Sequence, residues 1–411
     1  MKVLWVKSGS LVPPDTGGKI RSYNLIRELA RRHEVTLFTF YTPHEGDKHA
    51  ELEKFCSRVI NAPINLPEAR GFGEAVGYAR NLFSLRPYTM AKYCKPSVAR
   101  ALRELVSKQD FDVILCDFLF SADVIPWDSP RPKVLFTHNV EEQIWRRHFQ
   151  VSRNPIWKAV SWREYKTMRA AERHYVNLAD HVLAVSDADR NYFSSYADAG
   201  KITVIPTGVD VDYFRPSAEP QPGDTLVFTG SMDWLPNEDA ILYFAESILP
   251  LLRREAPDAE LRVVGRKPSQ RLQKLGQEVP GIVVTGEVRD IRPHVHGSSV
   301  YVVPLRIGGG TRIKIFEAMA MGKAVVSTPI GAEGLPVHHN ENILLAESPE
   351  EFARCILRLL REPSERERLG RAARALVEQN YSWRSVVSVF DTVFDRITGK
   401  PSEAIPEPVR L

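Results

Sequence analysis

Short runs rich in Val, Ile and Leu alternate with longer amphipathic stretches along nearly the whole chain, and this alternation constrains the fold more than any other feature. Runs that are apolar almost throughout belong to strands buried on both faces, and the helix-length segments between them are the crossovers that parallel strands require. The pattern predicts strands at Lys2–Val6, Val35–Phe40, Val113–Cys116, Lys133–Thr137, His181–Val185 and Lys201–Ile205, with helices such as Gly18–Arg32 and Trp162–Asn177 among them. A second series follows at Thr225–Thr229, Glu260–Val264, Ile282–Thr285, Val300–Pro304, Ala324–Ser327 and Ile343–Leu345. Between the series lies Ser217–Asp224, rich in Pro and polar residues, which reads as an exposed connection. At 411 residues the chain exceeds what one core can organise. The expectation is an α/β protein of two doubly wound domains, 1–206 and 225–380, joined by a linker at 207–224. A helix at 381–398 is expected to cross back to the first domain, and 399–411 reads as a flexible tail.

The 55 basic and 51 acidic residues leave a net charge of +4, too small to argue for nucleic acid. The apolar stretch within Met1–Lys7 is shorter than a signal-peptide core and reads as a first strand, and no apolar run is long enough to span a bilayer. Cys56, Cys94, Cys116 and Cys355 are scattered, without the spacing of a zinc site or a disulfide framework, which fits a reducing cytoplasm.

The strongest local signal is Pro304-Leu-Arg-Ile-Gly308-Gly309-Gly310-Thr311-Arg312-Ile-Lys314-Ile-Phe-Glu317, directly after an apolar strand. Glycines let backbone approach a ligand, and the amides and dipole of a helix start favour an anion such as diphosphate. Arg312 and Lys314 add charge, and Glu317, about two turns on, could accept hydrogen bonds from a ribose diol. On the glycines alone, a plain strand-to-helix turn is an equal alternative. Pro13-Pro-Asp15-Thr16-Gly17-Gly18-Lys19 repeats the device after the first strand, with Arg21 in the helix that follows. His138 and Asn139 stand just past a strand end, where ligands gather in open α/β sheets. The stretch from Ile144 to Arg173, with Trp145, Arg146, Trp157 and Trp162 among basic residues, suits an anionic headgroup or a polyanionic acceptor. With Glu141, Glu142, Glu164 and Glu172 interspersed, the simpler expectation is an amphipathic helix with aromatics packed inward and charges in water.

These pieces together resemble the retaining glycosyltransferases of family four, whose GT-B fold is two Rossmann-like domains facing each other across a cleft. The likeness is carried by Val204-Ile-Pro-Thr-Gly-Val-Asp-Val-Asp-Tyr-Phe-Arg-Pro216, by Phe228-Thr-Gly-Ser-Met232 with Pro236-Asn237, and by Phe316-Glu-Ala-Met-Ala-Met-Gly-Lys-Ala-Val-Val326. Gly308-Gly-Gly-Thr-Arg-Ile-Lys314 is similar to bacterial sugar transferases of exopolysaccharide and cell-surface glycan assembly. The resemblance implies a donor sugar nucleotide, UDP- or GDP-linked, held by Glu317 at the ribose and by Gly309, Gly310, Thr311 and Arg312 at the phosphates and sugar. Gly17 and Gly18 meet the diphosphate from the acceptor side, Gly230 belongs to the donor side, and Val288 matches the loop that receives the base. His138 matches the histidine near the transferred sugar, with Asn139, Trp145 and Arg146 on the acceptor side.

Two departures stand out. The first glutamate of the family's pair falls on Gly309, and the usual Arg and Lys after the second domain's first strand are replaced by Ser231-Met-Asp-Trp-Leu-Pro-Asn237. Another cation must face the leaving diphosphate, with Lys314 first and Arg266 next among the local choices. The implied enzyme moves a hexosyl unit with retention to a hydroxyl of a glycan, lipid-linked or small-molecule acceptor. It needs no metal or other cofactor and no nucleic acid, and it works in the cytoplasm with peripheral contact to an anionic membrane as an option. The alternatives are a GT-B-fold sugar-nucleotide epimerase, disfavoured by the missing acid at Gly309, and a non-catalytic polyanion binder.

Overall fold

The computed structural model describes residues 1–14, 16–43, 49–66, 72–151, 154–217, 223–307 and 313–400. They form two compact units: Met1–Pro206 together with the chain from Val386, and Thr207–Ser385.

The first unit is built on a parallel sheet of β1 (Lys2–Ser8), β2 (Glu34–Phe40), β3 (Arg58–Asn61), β4 (Val113–Asp117), β5 (Lys133–Phe136), β6 (His181–Ala184) and β7 (Ile202–Val204). Among the described residues their order is β3-β2-β1-β4-β5-β6-β7, every pairing parallel. The order reverses between β1 and β4, and at such a switch the crossovers leave in opposite directions and open a crevice at the strands' carboxyl ends. Core side chains are those the alternation pointed to, with Leu4, Val6, Ile114, Cys116, Leu135 and Val182 fully enclosed. The helix Trp383–Thr398 completes this unit. Its Phe390 packs against Trp5 and Phe136, ring centroids 6.0 and 5.9 Å away, and Asp391 pairs with Arg32 and His33 at 2.5 and 2.7 Å.

The second unit repeats the plan with β8 (Thr225–Thr229), β9 (Glu260–Val264), β10 (Ile282–Gly286), β11 (Val300–Val303), β12 (Val325–Ser327) and β13 (Leu344–Leu345), in the order β10-β9-β8-β11-β12-β13 among the described residues, again all parallel. Here the switch lies between β8 and β11. The segment from Thr207 packs on this unit: Val209 is buried, its amide bonds the Tyr381 carbonyl at 2.7 Å, and Trp383 lies against Gly208.

Truncating Phe390 to Ala removes a fully buried ring from the aromatic group on β1 and β5. The expected cost is about 3–5 kcal/mol, read as a lower urea midpoint for the first unit; an unchanged midpoint would contradict the packing.

Candidate functional site

In the first unit the strand ends at the switch carry a buried charged group. Lys7 of β1 brings its Nζ to 3.3 Å from Asp117 Oδ2, at the end of β4. Trp5 Nε1 donates to the same oxygen at 2.8 Å, and His138, two residues past β5, sets Nε2 at 2.7 Å from Asp117 Oδ1. Arg21 of the Gly17–Leu29 helix reaches the other ring nitrogen, with Nη1 3.5 Å from Nδ1. All four of Lys7, Arg21, Asp117 and His138 are buried. The carboxylate is acceptor-only and the guanidinium donor-only, so we assign the ring proton to Nε2 and the lone pair to Nδ1.

Phe118 has φ of 69°, a left-handed conformation that costs a non-glycine residue about 1–2 kcal/mol. The turn lays its ring flat on His138, centroids 3.7 Å apart and planes 6° apart, with Lys7 Nζ 4.5 Å from the ring centre. Gly18 makes room, since a Cβ there would stand 2.7 Å from Phe118 Cζ. Burial pushes the Asp117 carboxyl up, but Lys7, His138 and the Ser22 hydroxyl together outweigh it and hold it well below the usual carboxylate range. Burial also lowers His138, to about 4, against the pull of Asp117. The neutral ring therefore sits among two cations and one carboxylate, a surplus of positive charge next to a hydrogen-bond acceptor.

The loop bearing His138 is held from behind. Glu172 Oε1 accepts the Glu141 amide at 2.7 Å, satisfying one of the free N–H groups at the start of the Glu141–Val151 helix. Burial raises Glu141 to about 7 and Glu172 to about 8. The expectation of solvated glutamates in this stretch is overturned: Glu141, Glu142, Glu164 and Glu172 are all buried, while Trp157 and Trp162 are exposed. The reason is spacing, because Glu164, Met168, Glu172 and Val176 share the inward face of the Pro155–Leu178 helix.

In the second unit the Ile313–Ala320 helix follows β11 and carries Lys314 and Glu317 one turn apart on one face. Lys314 Nζ reaches across to the end of the neighbouring β8, donating to Asn237 Oδ1 at 2.8 Å and lying 3.9 Å from the Phe228 ring centre. It thus stands beside Gly230, where a Cβ would be 2.9 Å from Nζ and 2.6 Å from Asn237 Nδ2. Asn237 Nδ2 in turn fixes the Ser231 carbonyl at 2.8 Å. Gly265, after β9, touches Gly230 so closely that a Cβ would meet the Gly230 carbonyl oxygen. Arg266 is exposed, with Nε 3.1 Å from Ser231 Oγ. Val288 lies partly buried past β10.

Glu317 is half-buried, and its carboxyl is raised to about 7 by burial, with Lys314 opposing. Nearby the Tyr301 hydroxyl, which shares a 2.6 Å hydrogen bond with Thr229 Oγ1, feels the Glu317 charge. Gly309, Gly310, Thr311 and Arg312 lie outside the described residues. Three Asp-x-Asp pairs occur, Asp110 with Asp112, Asp187 with Asp189 and Asp210 with Asp212. Among the described residues no three His, Cys, Asp or Glu side chains gather as metal ligands.

The sequence-read residues thus fall in two groups. His138 joins Gly18 and Arg21 in the first unit, with Gly17 exposed at its helix start. Lys314, Glu317, Gly230 and Arg266 gather at the β8 and β11 ends of the second. Asn139 and Arg146 are exposed, and Trp145 packs partly buried beside Trp157, 6.2 Å between centroids. Lys7, Asp117 and Phe118 were not singled out from sequence, and Asn237 was named there only as part of a motif, without a role in the site. An acid directly after a buried strand, as in Cys116-Asp117, was the available signal.

Comparison with known proteins bears directly on these two units. The model of Glycosyltransferase Family 4 matches residues 16–213, and that of Glycosyl transferases group 1 matches residues 223–362. The chain belongs to the family-four-like GT-B glycosyltransferases. Among curated relatives, the GDP-mannose-dependent alpha-(1-6)-phosphatidylinositol monomannoside mannosyltransferase of Mycolicibacterium smegmatis is 24% identical over 402 residues, 91% of this chain and 93% of the relative. An uncharacterized 44.6 kDa protein from the cps region of Klebsiella pneumoniae is 20% identical over 94% of this chain and 98% of its own length. Among solved structures, sucrose-phosphate synthase from Thermosynechococcus elongatus superposes with a TM-score of 0.65 at 19% identity, over 97% of this glycosyltransferase and all of that chain. Anabaena HepE in complex with UDP gives 0.64 at 16%, covering 96% and 100%. At these identities the structural likenesses establish the fold: two Rossmann-like units with parallel sheets. No helix among the described residues is long and apolar enough to cross a membrane.

The His138 geometry has a measurable consequence. A histidine whose folded value is about 4 binds protons less readily than the unfolded ring at 6.5, so acidification across that window favours unfolding, by about 3 kcal/mol from this group alone. Nitrogen-15 NMR of the ring is expected to show the Nε2–H neutral form at pH 6.5, with protonation only as the pH approaches about 4. A ring that titrates near its ordinary value would refute the buried Asp117 pairing.

Proposed function

We propose that this glycosyltransferase moves a hexosyl unit, with retention, from a UDP- or GDP-linked donor to a hydroxyl of a glycan, lipid-linked or small-molecule acceptor, working in the cytoplasm without a metal or other cofactor. The observation that carries the reading is the Glu317 carboxylate: half-buried, raised by burial, and without a hydrogen-bond donor among the described residues. A carboxylate left in that state gains from a ligand that brings hydroxyl donors, and a ribose diol supplies two. Lys314, one turn earlier, is held at the β8 end by Asn237 with its charge toward the Gly230 turn. There it is suited to the diphosphate, taking the place of the cations that the family sets after β8. Arg266 stands next to the same turn and gives a second cation.

In the reaction the bond between the anomeric carbon and the diphosphate oxygen breaks while the acceptor oxygen bonds the same face of that carbon. The acceptor proton passes to an oxygen of the departing diphosphate, so no protein base is required. The protein's share is positioning and charge: Lys314 and Arg266 oppose the negative charge growing on the diphosphate, and the glycine turn lets main chain come close. His138, neutral, oriented by Asp117 and backed by Phe118, takes a hydroxyl of the transferred sugar at Nδ1 in exchange for its long 3.5 Å contact with Arg21. The GDP-mannose dependence named for the mycobacterial relative and the UDP bound to HepE support these two donor classes.

Screening UDP-, GDP-, ADP- and dTDP-sugars by thermal shift and slow hydrolysis tests the proposal. Glu317→Ala is expected to lose most donor affinity while keeping or raising the ligand-free melting temperature, since it removes a desolvated carboxyl. Lys314→Ala should lower turnover by roughly 10²–10³-fold. Donor affinity untouched in Glu317→Ala would remove the ribose role, and nucleotide release indifferent to added acceptors would remove transfer.

A further inference from the structure

The charges of the two helices Glu141–Val151 and Pro155–Leu178 alternate in sequence but separate in space. Glu141, Glu142, Glu164 and Glu172 turn inward, whereas among the described residues from 144 to 166 the exposed Lys and Arg side chains are Arg146, Arg147, Lys158 and Lys166, and no acid there is exposed. The outer surface of this part of the first unit is therefore basic, and the two helices together carry seven basic and four acidic residues.

The same surface is apolar to an unusual degree. Nearly all the exposed large apolar side chains among the first unit's described residues fall in two short stretches, 72–85 and 156–162, Leu178 being the exception. Phe72, Phe83 and Leu85 are 87%, 97% and 90% exposed, and Ile156 and Trp162 stand out from the second stretch. The stretches are neighbours because the Arg163 guanidinium bonds the carbonyls of Asn81, Ser84 and Arg86, and Glu164 Oε2 accepts the Tyr88 amide at 2.9 Å. Lys166 lies 5.9 Å from the Trp162 ring centre and Lys158 5.5 Å from that of Phe149, so the cations border the apolar side chains.

We infer that this face rests on an anionic phospholipid bilayer, inserting Phe72, Phe83, Leu85 and Ile156 below the headgroups with Trp157 and Trp162 at the boundary and Lys158 and Lys166 on the phosphates. A protein partner would need a groove or flat patch of matched shape. These side chains instead project singly from a loop and from a helix start, and a fluid bilayer accepts such tips without complementarity. Aromatic residues beside lysine and arginine are the composition of the membrane interface, and anionic lipid complements a surface without exposed acids among its described residues. With the glycosyltransferase reading, on which this last step rests, the face selects acceptors anchored in the same leaflet.

Sedimentation of the full chain with phosphatidylcholine vesicles, with and without phosphatidylglycerol, tests the surface. Binding is expected only to the mixed vesicles, with salt weakening it. Phe83→Ser with Leu85→Ser, and separately Lys158→Glu with Lys166→Glu, should each weaken it about tenfold or more, with melting temperature and soluble-donor hydrolysis unchanged. In the unmutated chain, vesicles with brominated acyl chains should quench tryptophan fluorescence. Wild-type chain left in the supernatant, either double variant binding as tightly as wild type, absent quenching, or a self-association that the serine pair abolishes would each overturn the assignment. A chain that binds vesicles but hydrolyses no sugar nucleotide keeps the bilayer face and loses the transferase reading, and the reverse result separates them equally.

Discussion

Parallel pairing is the constraint from which the rest follows. Parallel strands cannot be joined by tight turns, so each needs a crossover, and the helices that provide it cover both faces of the sheet. Covered sheets have apolar strands, and the polar chemistry is displaced to the strand ends. At the switch between β1 and β4, and again between β8 and β11, successive crossovers part and leave those ends uncovered by helix. Both charged groups described above stand at these places, where the backbone topology leaves room for them.

The two ends solve the problem of burying charge in opposite ways. In the first unit Asp117 is fully compensated, by Lys7, His138 and Trp5, so the acid serves to orient other groups rather than to meet a ligand. Breaking such a pair by removing one partner costs about 3–5 kcal/mol, because the other charge stays buried. In the second unit, among the described residues, Glu317 has only the field of Lys314 to favour its ionised form. An uncompensated carboxylate is a standing cost that a folded chain retains where something outside the protein completes it.

The two-domain α/β plan was legible from the apolar runs, strand by strand, because burial on both faces leaves an unbroken signature. Only Arg58–Asn61 among the described strands was not anticipated, being four residues long with two apolar ones at the sheet edge. Lys314 and Glu317 were readable because the turn, the helix start and the acid are contiguous in sequence. Asp117 and Lys7 were not, since 110 residues separate them and only the order β1-β4-β5 brings them to His138. The inward glutamates were misread because a charged residue was assumed to be wet. Their four-residue step with Met168 and Val176 gave the face, but their pairing with Glu141 and its neighbours depends on how two helices pack.

The helix Trp383–Thr398 brings a temporal asymmetry to this architecture. Trp5 and Phe136 are synthesised early, yet the ring that covers them, Phe390, emerges only after every residue of the second unit has been made. During translation the first unit waits with an aromatic seam open to water and closes it last. The N-terminal unit is thus completed only once the whole second unit has been synthesised, and a chain interrupted before Phe390 leaves Trp5 and Phe136 without their cover.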